Sequence, residues 1–164
     1  MNVLLLADTH VLSLPANLPD RLLADLATAD LIVHAGDLTS AAFLEELRRY
    51  APVHAVHGNA DELTLHRDLP ARLVVEVMGR PLGIVHGDVG KGSSTLARAR
   101  NAFTPGEVDV VVYGHSHFPY RGYAGETLMF NPGSPTERRQ SPRFTYGRLA
   151  LNEHGRLSAG LVVV

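Results

Sequence analysis

The stretch Val3-Leu4-Leu5-Leu6-Ala7-Asp8-Thr9-His10 opens the chain with a short apolar run that ends at two side chains able to bind a metal. The pattern recurs four times, in the runs Leu31 to Val33, Val53 to Val56, Leu82 to Val85 and Val108 to Tyr113. The polar residues that follow these runs are Asp37, Asn59, His86, and the pair His115 and His117. Such runs, leucine-rich or β-branched and bounded by Gly, Asp or Asn, are typical of strands buried in a mainly parallel sheet.

The polar residues are expected to meet, because ligands of open α/β sheets bind in the crevice outside the carboxyl ends of the strands. Taken alone, Asp8-Thr9-His10 and Gly36-Asp37 are weak motifs, since both occur in ordinary turns. Taken together, the five groups recur after predicted strands and supply only oxygen and nitrogen donors. Their recurrence predicts a composite metal site.

Length and composition are those of an ordinary soluble protein. We expect one domain over residues 1–164, with 45% hydrophobic and 20% charged residues and a formal net charge of −2. This charge indicates neither a nucleic-acid nor a membrane partner. The absence of cysteine excludes disulfides and thiolate ligands. No basic segment precedes the first apolar run, and no run approaches the ~18 residues of a spanning helix, so we expect a cytoplasmic protein.

Helical patterns alternate with the first strands, as in βαβ units. They cover Pro19 to Ala27, Ala41 to Tyr50 and Ser94 to Ala102. Thr39 or Ser40 is expected to cap the second helix, and Ser93 the third.

The remaining patterns are those of strands. Leu73 to Val77 and Leu82 to Val85 flank a short connection containing glycine, which predicts a hairpin. After His117 only strands are expected, at Tyr120 to Tyr123, Thr127 to Phe130, Phe144 to Leu151 and Leu157 to Val164, with a turn at Asn152 to Gly155. The predicted fold class is α/β, a two-sheet mixed β-sandwich flanked by helices.

The motifs, in this order, resemble those of the calcineurin-like metallophosphoesterases. In length and motifs the chain is most similar to the small phosphodiesterases of bacteria and archaea, and the resemblance runs nearly end to end. The matching residues are Asp8-Thr9-His10, Gly36-Asp37, Gly58-Asn59-Ala60-Asp61, His86-Gly87, Gly114-His115-Ser116-His117 and Asn131-Pro132-Gly133-Ser134.

The resemblance implies a dinuclear metal centre and hydrolysis of a small phosphoester, most specifically a phosphodiester. One metal would be held by Asp8, His10, Asp37 and His117, and the other by Asp37, Asn59, His86 and His115. Asp37 would bridge the metals. The family's catalytic action would pass through the metals, with Asp37, Asn59 and His86 as its central residues.

Two divalent ions roughly 3.5 to 4 Å apart can share a water, lower its pKa and clamp the oxygens of a phosphoryl group. The carboxylates of Asp8 and Asp37 and one hydroxide offset part of the charge of the two ions. The centre then has a formal charge of about +1, which favours binding of an anionic ester. The nitrogen and oxygen donors suit Mn²⁺, Fe²⁺, Zn²⁺, Ni²⁺ or Mg²⁺. The resemblance favours Mn²⁺.

The chain departs from the family pattern at Ala60. Many larger relatives carry a histidine there that contacts the phosphoryl group and can protonate the leaving oxygen. A general acid is worth about 10² to 10⁴ in rate, so we expect activated or diester substrates to be preferred over alkyl monoesters. His57 is the nearby candidate for this role, although a histidine ending an apolar strand is more often structural.

Several neighbouring residues have two interpretations. His34 is expected in the core or behind the ligands, and Asp61 either fixes its loop by hydrogen bonding or is a surface carboxylate. Asp88, where many relatives have a histidine, either orients an imidazole or begins a glycine-rich loop. One of six basic residues is expected to contact substrate: Lys91, Arg98, Arg100, Arg138, Arg139 or Arg143.

Two other functions compete with the phosphodiesterase. A eukaryotic vacuolar sorting subunit resembles this chain and serves as a scaffold, so a non-catalytic metal-binding interaction module is the main alternative; all seven ligand positions here hold competent side chains. A nuclease would need DNA-binding elements for which a chain of 164 residues and net charge −2 has little room. Relatives often oligomerise, and the apolar end Leu161 to Val164 is either an internal strand or an edge that pairs between subunits.

Overall fold

Two mixed five-stranded sheets with helices on their outer faces make up the protein. The structure is a computed structural model and describes residues 1–13, 16–152 and 154–164. In chain order the elements are β1 (Val3–Leu6), α1 (Asp20–Leu26), β2 (Leu31–His34), α2 (Ala41–Arg48), β3 (Val53–Ala55), α3 (Leu63–Asp68), β4 (Arg72–Val77), β5 (Arg80–Val85), α4 (Thr95–Asn101), β6 (Val110–Val112), β7 (Tyr120–Ala124), β8 (Thr127–Asn131), β9 (Thr145–Leu151) and β10 (Leu157–Val163).

The first sheet has the strand order β10-β9-β1-β2-β3. Strands β1, β2 and β3 are parallel, with Leu4 opposite Ile32 and Ile32 opposite Val53. β9 runs antiparallel to both β1 and β10. In the turn predicted between β9 and β10, Glu153 lies outside the described residues.

The second sheet has the order β4-β5-β6-β8-β7, with β5, β6 and β8 parallel. Its first two strands form the predicted hairpin, in which Val77 pairs with Arg80. The two residues between them, Met78 and Gly79, have φ angles of 52° and 74°. Positive φ at both central positions is the geometry of a tight two-residue hairpin turn, which Gly79 allows without steric cost.

Alternate residues of β1 serve two different cores, which explains why this strand is apolar throughout. Val3 and Leu5 face the second sheet and pack in the central layer, together with Val110 and Val112 of β6. Leu4 and Leu6 face outward into the layer formed by α1, α2 and α3. A third cluster packs Ala99 of α4 against the outer face of the second sheet. The layers confirm the predicted helix-flanked sandwich.

The structure differs from the predicted elements in two details. Helix α3 was not predicted, because it has only six residues and one buried apolar side chain, Leu65. The cap of α4 is Ser94, whose hydroxyl accepts from Ala97 N–H at 3.1 Å, and the prediction of Ser93 was wrong by one residue. Ser40 caps α2 as expected, accepting from Phe43 N–H at 3.3 Å.

None of the helices in the described part of the chain has the length and hydropathy needed to cross a membrane.

Candidate metal centre

The loops after β1, β2, β3, β5 and β6 meet at one edge of the sandwich and bring all seven predicted ligand residues together. Backbone hydrogen bonds continue each sheet into these loops, since Asp8 N–H donates to Gly36 O beyond the first sheet and Gly114 N–H donates to His86 O beyond the second. His115 N–H donates to the Asp8 carboxylate at 3.0 Å. The carboxyl ends of parallel strands thus form the predicted composite site.

The first group of donors contains Asp8, His10 and His117. The Nε2 atoms of His10 and His117 lie 3.2 Å apart, with the two rings stacked at 5.0 Å. Asp8 Oδ1 lies 3.8 Å from His117 Nε2. One ligand atom from each residue falls within 4.8 Å of the others, so the three can hold one ion.

The second group contains Asn59, His86 and His115. Asn59 Oδ1 lies 3.2 Å from His86 Nε2 and 3.0 Å from His115 Nδ1. The ring centroids of the two histidines are 5.2 Å apart and nearly perpendicular. The amide oxygen therefore faces two imidazoles whose nitrogens point toward it.

Asp37 connects the two groups. Its Oδ2 lies 3.5 Å from His10 Nε2 and 3.3 Å from His86 Nε2. Its other oxygen accepts from Ala60 N–H at 2.8 Å, which fixes the plane of the carboxylate. Asp37 therefore lies between the two groups of donors.

Backbone carbonyls fix the orientation of two of the imidazoles. His86 Nδ1 lies 2.8 Å from Ala35 O, and His117 Nδ1 contacts Glu137 O. A carbonyl only accepts hydrogen bonds, so the proton of each ring sits on Nδ1. In the neutral ring Nε2 then carries a lone pair directed into the site, which is the tautomer that metal-binding histidines use.

The backbone of the site is strained. Eight non-glycine residues among those described have positive φ, and five of them are candidate ligands: Asp8 (54°), His10 (47°), Asp37 (57°), His115 (67°) and His117 (60°). Each such conformation costs about 1 to 3 kcal/mol, and such strain is concentrated at functional sites. The conformations direct these side chains out of the strand ends and toward one another.

Two glycines let the ligand side chains approach the backbone. A Cβ at Gly58 would stand 2.2 Å from Asp37 Oδ1, and one at Gly36, where φ is 90°, would stand 2.7 Å from His86 Nδ1. No larger side chain fits at these distances. The Gly-Asp and Gly-Asn pairs of the motifs thus have a steric reason as well as a chemical one.

Burial sets the electrostatics of the carboxylates. Burial raises the pKa of Asp8 to about 7, and its Oδ2 has no hydrogen-bond partner among the described residues. Burial acts the same way on Asp37, but the hydrogen bond and charge of His86 outweigh it and lower the pKa of Asp37 to about 2. For His86 burial is likewise outweighed, by Asp37 and by the charge of Asp8, so that its pKa rises to about 9.

The donor set therefore fits divalent cations. A buried carboxylate oxygen without a partner is costly, and so are imidazole lone pairs directed at oxygen acceptors. Without metal, a proton on His86 Nε2 relieves part of this repulsion, which is why its pKa is raised. A cation placed among these atoms would neutralise all of them together.

A family model described as the calcineurin-like phosphoesterase superfamily domain matches residues 1–154. The chain belongs to this superfamily. It is 34% identical over 131 residues to a probable metallophosphoesterase of Methanocaldococcus jannaschii, and the alignment covers 80% of this chain and 66% of that protein. A probable metallophosphoesterase of Methanothermobacter thermautotrophicus is 33% identical over 131 residues, covering 80% of this chain and 75% of the relative. The resemblance predicted from the motifs is confirmed.

Solved structures confirm the fold of this calcineurin-like phosphoesterase. A single mutant of Vps29 from Entamoeba histolytica is 25% identical, with a TM-score of 0.73 and coverage of 100% of this chain and 99% of that one. The wild-type protein of the same organism, solved as a complex with Zn²⁺, shares the fold at 24% identity and a TM-score of 0.72. The calcineurin-like family uses divalent metals, and the clustered Asp and His side chains give them a place here.

Behind the ligands, the calcineurin-like site is held by polar residues that the motifs only partly indicated. Asp61 is buried and accepts from the N–H groups of Asp37 (3.1 Å), Thr39 (2.6 Å) and Gly58 (2.7 Å), so the hydrogen-bonding interpretation is confirmed. His34 is fully buried and bonds to Thr9 Oγ1 at 3.0 Å.

The Asn-Pro-Gly-Ser motif has a structural role that the sequence did not specify. Ser134 Oγ donates to Asp8 O at 2.7 Å and accepts from Glu137 N–H at 2.8 Å. Asn131 Nδ2 donates to Gly114 O at 3.0 Å. The motif thus connects the loop carrying Asp8 to the loop carrying the two final histidines.

The weaker candidates lie around this centre. His57, the candidate general acid, packs against His66 with ring centroids 4.2 Å apart, and the hydrogen bonds and ion pairs found among the ligand residues do not include it. Arg138 donates to Ser141 O at 2.8 Å and stacks on Phe144, which gives it a structural role. Asp88 is half-buried in the loop after His86.

Proposed function

We propose that this chain is a phosphodiesterase that uses two divalent ions to hydrolyse a small phosphoester. One ion would be held by Asp8, His10, Asp37 and His117, and the other by Asp37, Asn59, His86 and His115. The two groups of donors that meet at Asp37 support this assignment. The family membership supports a metal-dependent phosphoesterase in general.

The observation that carries the proposal is the direction of the donor atoms. Ala35 O and Glu137 O hold the Nδ1 protons of His86 and His117, so both Nε2 atoms are directed at carboxylate or amide oxygens. Asp8 Oδ2 has no hydrogen-bond partner among the described residues. Imidazole lone pairs and the oxygens that face them repel one another, and bound cations would stabilise this arrangement.

When bound, two such ions supply an activated water at neutral pH and a positive clamp for the phosphoryl oxygens. The protein residues set the charge of that clamp. Asp8 and Asp37 contribute one negative charge each, whereas Asn59 and the four histidines bind as neutral donors. The resulting positive surplus favours an anionic ester, and an aspartate in place of Asn59 would remove it. Within the donor set's range of Mn²⁺, Fe²⁺, Zn²⁺, Ni²⁺ and Mg²⁺ we propose Mn²⁺.

Preference for diesters follows from Ala60. Its N–H orients Asp37 at 2.8 Å, but its methyl group cannot protonate a leaving alkoxide. Substrates with good leaving groups lose least from the lack of a general acid. We therefore propose that aryl and other activated diesters are cleaved faster than alkyl monoesters.

The test is hydrolysis of bis-p-nitrophenyl phosphate beside p-nitrophenyl phosphate, with metal-stripped protein resupplied with Mn²⁺. Asn59→Ala and His86→Ala should each lower Mn²⁺-dependent diester cleavage by about 10²-fold or more, because each removes a donor from one ion. His154→Ala, at an exposed histidine outside the cluster, is the matched control and should keep the wild-type rate. Full activity in both ligand variants would exclude the mechanism.

The alternative is a metal-binding interaction module. It is favoured by one observation, the full-length likeness of the fold to Vps29, of which a zinc complex exists. Retention of a complete donor set argues for chemistry, because an interaction module is free to lose ligands. Two bound Mn²⁺ per chain without turnover of any phosphoester on a broad panel would favour the module.

A further inference from the structure

An open cleft of about 480 Å³ adjoins the candidate metal centre. It runs between α4 and the segment that follows β6, and its lining includes Ser94, Thr95, Arg98, Tyr113, Ser116, Phe118 and Tyr120. Ser116 stands between the ligand candidates His115 and His117 in the chain. The cleft thus lies next to the loop that carries two ligand candidates, and its size is within the usual range for small-molecule sites.

One side of the cleft is aromatic and open to solvent. Phe118 is 45% exposed and Tyr120 is 39% exposed, although most large apolar side chains nearby are buried. The Tyr120 ring lies over Gly122, where a Cβ would stand 2.7 Å from Tyr120 Cζ, so the glycine makes room for this position of the ring. Tyr113 is buried and lines the same cleft. Exposed aromatic faces beside an ionic site suit a flat ligand.

The other side is cationic and polar. Arg98 Nε donates to Gly87 O at 2.8 Å, and its Nη2 donates to Thr95 Oγ1 at 3.3 Å. These two bonds fix a half-buried guanidinium directly beside the residue that follows His86. A guanidinium has five N–H donors in one plane, so three remain for a ligand in the cleft.

We infer that this cleft binds the flat aromatic ring of an ester group in the substrate, as in a nucleoside phosphate. Phe118 and Tyr120 would contact the face of the ring, and Arg98 would donate to its polar edge or to the phosphate. The inference rests on the proposed function for the position of the phosphate at the metals. It adds the class of alcohol that the enzyme accepts, and makes Phe118, Tyr120 and Arg98 the residues that determine specificity.

The test is binding, measured by isothermal titration calorimetry with Mn²⁺-loaded protein at fixed free Mn²⁺. Adenosine 5′-monophosphate and ribose 5-phosphate share the phosphate and the sugar and differ in the aromatic base. The wild type should bind the adenosine compound about tenfold more tightly, since a base stacked on an aromatic side chain contributes an effect of that order. Phe118→Ala and Tyr120→Ala should each remove most of the difference and leave the Kd of ribose 5-phosphate unchanged.

Tyr123→Ala is the matched control, because Tyr123 is an exposed tyrosine on the same strand that lines a different cleft, at the end near Arg80. It should keep the tenfold preference. Gly122→Ala tests the same wall without deleting an aromatic residue, since the added methyl group would displace the Tyr120 ring, and it should reduce the preference.

Equal affinity of the wild type for the two compounds would overturn the inference, as would a preference that survives Phe118→Ala and Tyr120→Ala. The proposed function fails in a different way, by absence of Mn²⁺-dependent diester hydrolysis. If affinity depends on the base but no diester is hydrolysed, the proposed base-binding cleft is supported and the proposed enzymatic function is refuted. If diesters are hydrolysed but the base does not affect affinity, the enzymatic function is supported and the base-binding cleft is refuted.

Discussion

Two buried aspartates, Asp8 at the metal centre and Asp25 on helix α1, have opposite surroundings. Asp25 accepts hydrogen bonds from the buried Tyr146 hydroxyl and from both Nε (2.9 Å) and Nη2 of Arg148. Burial alone would raise the pKa of Asp25, but these bonds hold it below its usual value. Asp8 has one bond to a backbone N–H, and its second oxygen has no partner among the described residues. Burial raises its pKa to about 7.

The different surroundings indicate a structural role for Asp25 and a ligand-binding role for Asp8. The carboxylate of Asp25 is neutralised inside the protein by Arg148, so it stabilises the packing of α1 on β9. The carboxylate of Asp8 accepts no hydrogen bond from a charged side chain in the described part of the chain, and its backbone has a φ of 54°. A buried carboxylate that has no charged hydrogen-bond partner in the protein indicates a site where an external cation binds. Each prediction below tests this contrast.

The largest effect should be on activity. Asp8→Asn keeps the shape of the side chain but removes the charge, and should lower Mn²⁺-dependent cleavage of bis-p-nitrophenyl phosphate by about 10³-fold, because metal clamps supply several kcal/mol of transition-state stabilisation. Asp25→Asn should keep the rate within about twofold. Initial rates of folded, metal-loaded proteins provide the measurement, and a similar loss in both variants would remove the contrast.

The next effect reverses the order of the two sites. In urea unfolding of metal-free protein at pH 5, Asp25→Asn should lower the free energy of unfolding by about 2 kcal/mol, because it weakens hydrogen bonds from a charged group and a buried hydroxyl. Asp8→Asn should instead raise it by about 1.5 kcal/mol, since at pH 5 the native state keeps the Asp8 carboxyl protonated whereas the unfolded chain would ionise it. A large loss of stability in Asp8→Asn would show that Asp8 also has a structural role.

The sequence was enough to predict this fold and to indicate which side chains the structure brings together at the candidate metal centre. Every strand of the central layer is an apolar run bounded by turn residues, so the periodicity alone indicated both sheets and the hairpin from Arg72 to Val85. The seven candidate ligands could be selected because each follows a strand and because the order of their motifs matches one family. Helix α3 was missed since a single buried residue, Leu65, gives no periodicity to detect.

The contacts that orient the candidate ligands could not be predicted. The carbonyls that orient His86 and His117 belong to Ala35 and Glu137, whose side chains have no part in the interaction. The partners Asp25 and Arg148 lie 123 positions apart, and no local pattern connects them. Such contacts depend on tertiary packing, which a single sequence indicates only where it has a motif.

A comparable effect concerns pH, again with metal-free protein. The raised pKa of Asp8 means that the native state keeps a proton that the unfolded chain loses near pH 4, so this group destabilises the fold increasingly from pH 4 to about 7. The stability advantage of Asp8→Asn over the wild type should therefore grow by about 2.5 kcal/mol between pH 5 and pH 8.

The comparison must be made between the two proteins, because other groups titrate in the same range. Burial lowers the pKa values of His34, His115 and His117, so each of them makes the fold more stable as pH rises toward 6.5. These three contributions occur in both proteins and cancel in the difference, whereas the pKa of His86, which the charge of Asp8 helps to raise, should be lower in Asp8→Asn. A constant difference across this range would contradict the raised pKa of Asp8.

The smallest effect should come from Arg139. Arg148 is hydrogen-bonded to Asp25, whereas Arg139 acts on Asp8 only through its charge. Its charge partly offsets the effect of burial on the pKa of Asp8 and adds to the effect of burial on the pKa of His117. Its own ion pair is to the exposed Glu137 at 3.4 Å. The positive charge of Arg139 near the candidate metal centre repels metal ions and attracts anionic esters. Arg139→Ala should therefore raise Mn²⁺ affinity about twofold and lower kcat/KM for the diester about threefold at low salt.

These opposite signs identify a charge effect, because a disturbed loop would weaken both metal binding and turnover. Both changes should disappear in 0.5 M salt, where the Debye length falls to roughly 4 Å. Arg100→Ala, at an exposed arginine of α4, removes the same charge elsewhere and should show neither change. If Arg139→Ala instead lowers metal affinity, the guanidinium stabilises the loop that contains Glu137. The contrast between Asp25 and Asp8 would then have to be explained without a contribution from the charge of Arg139.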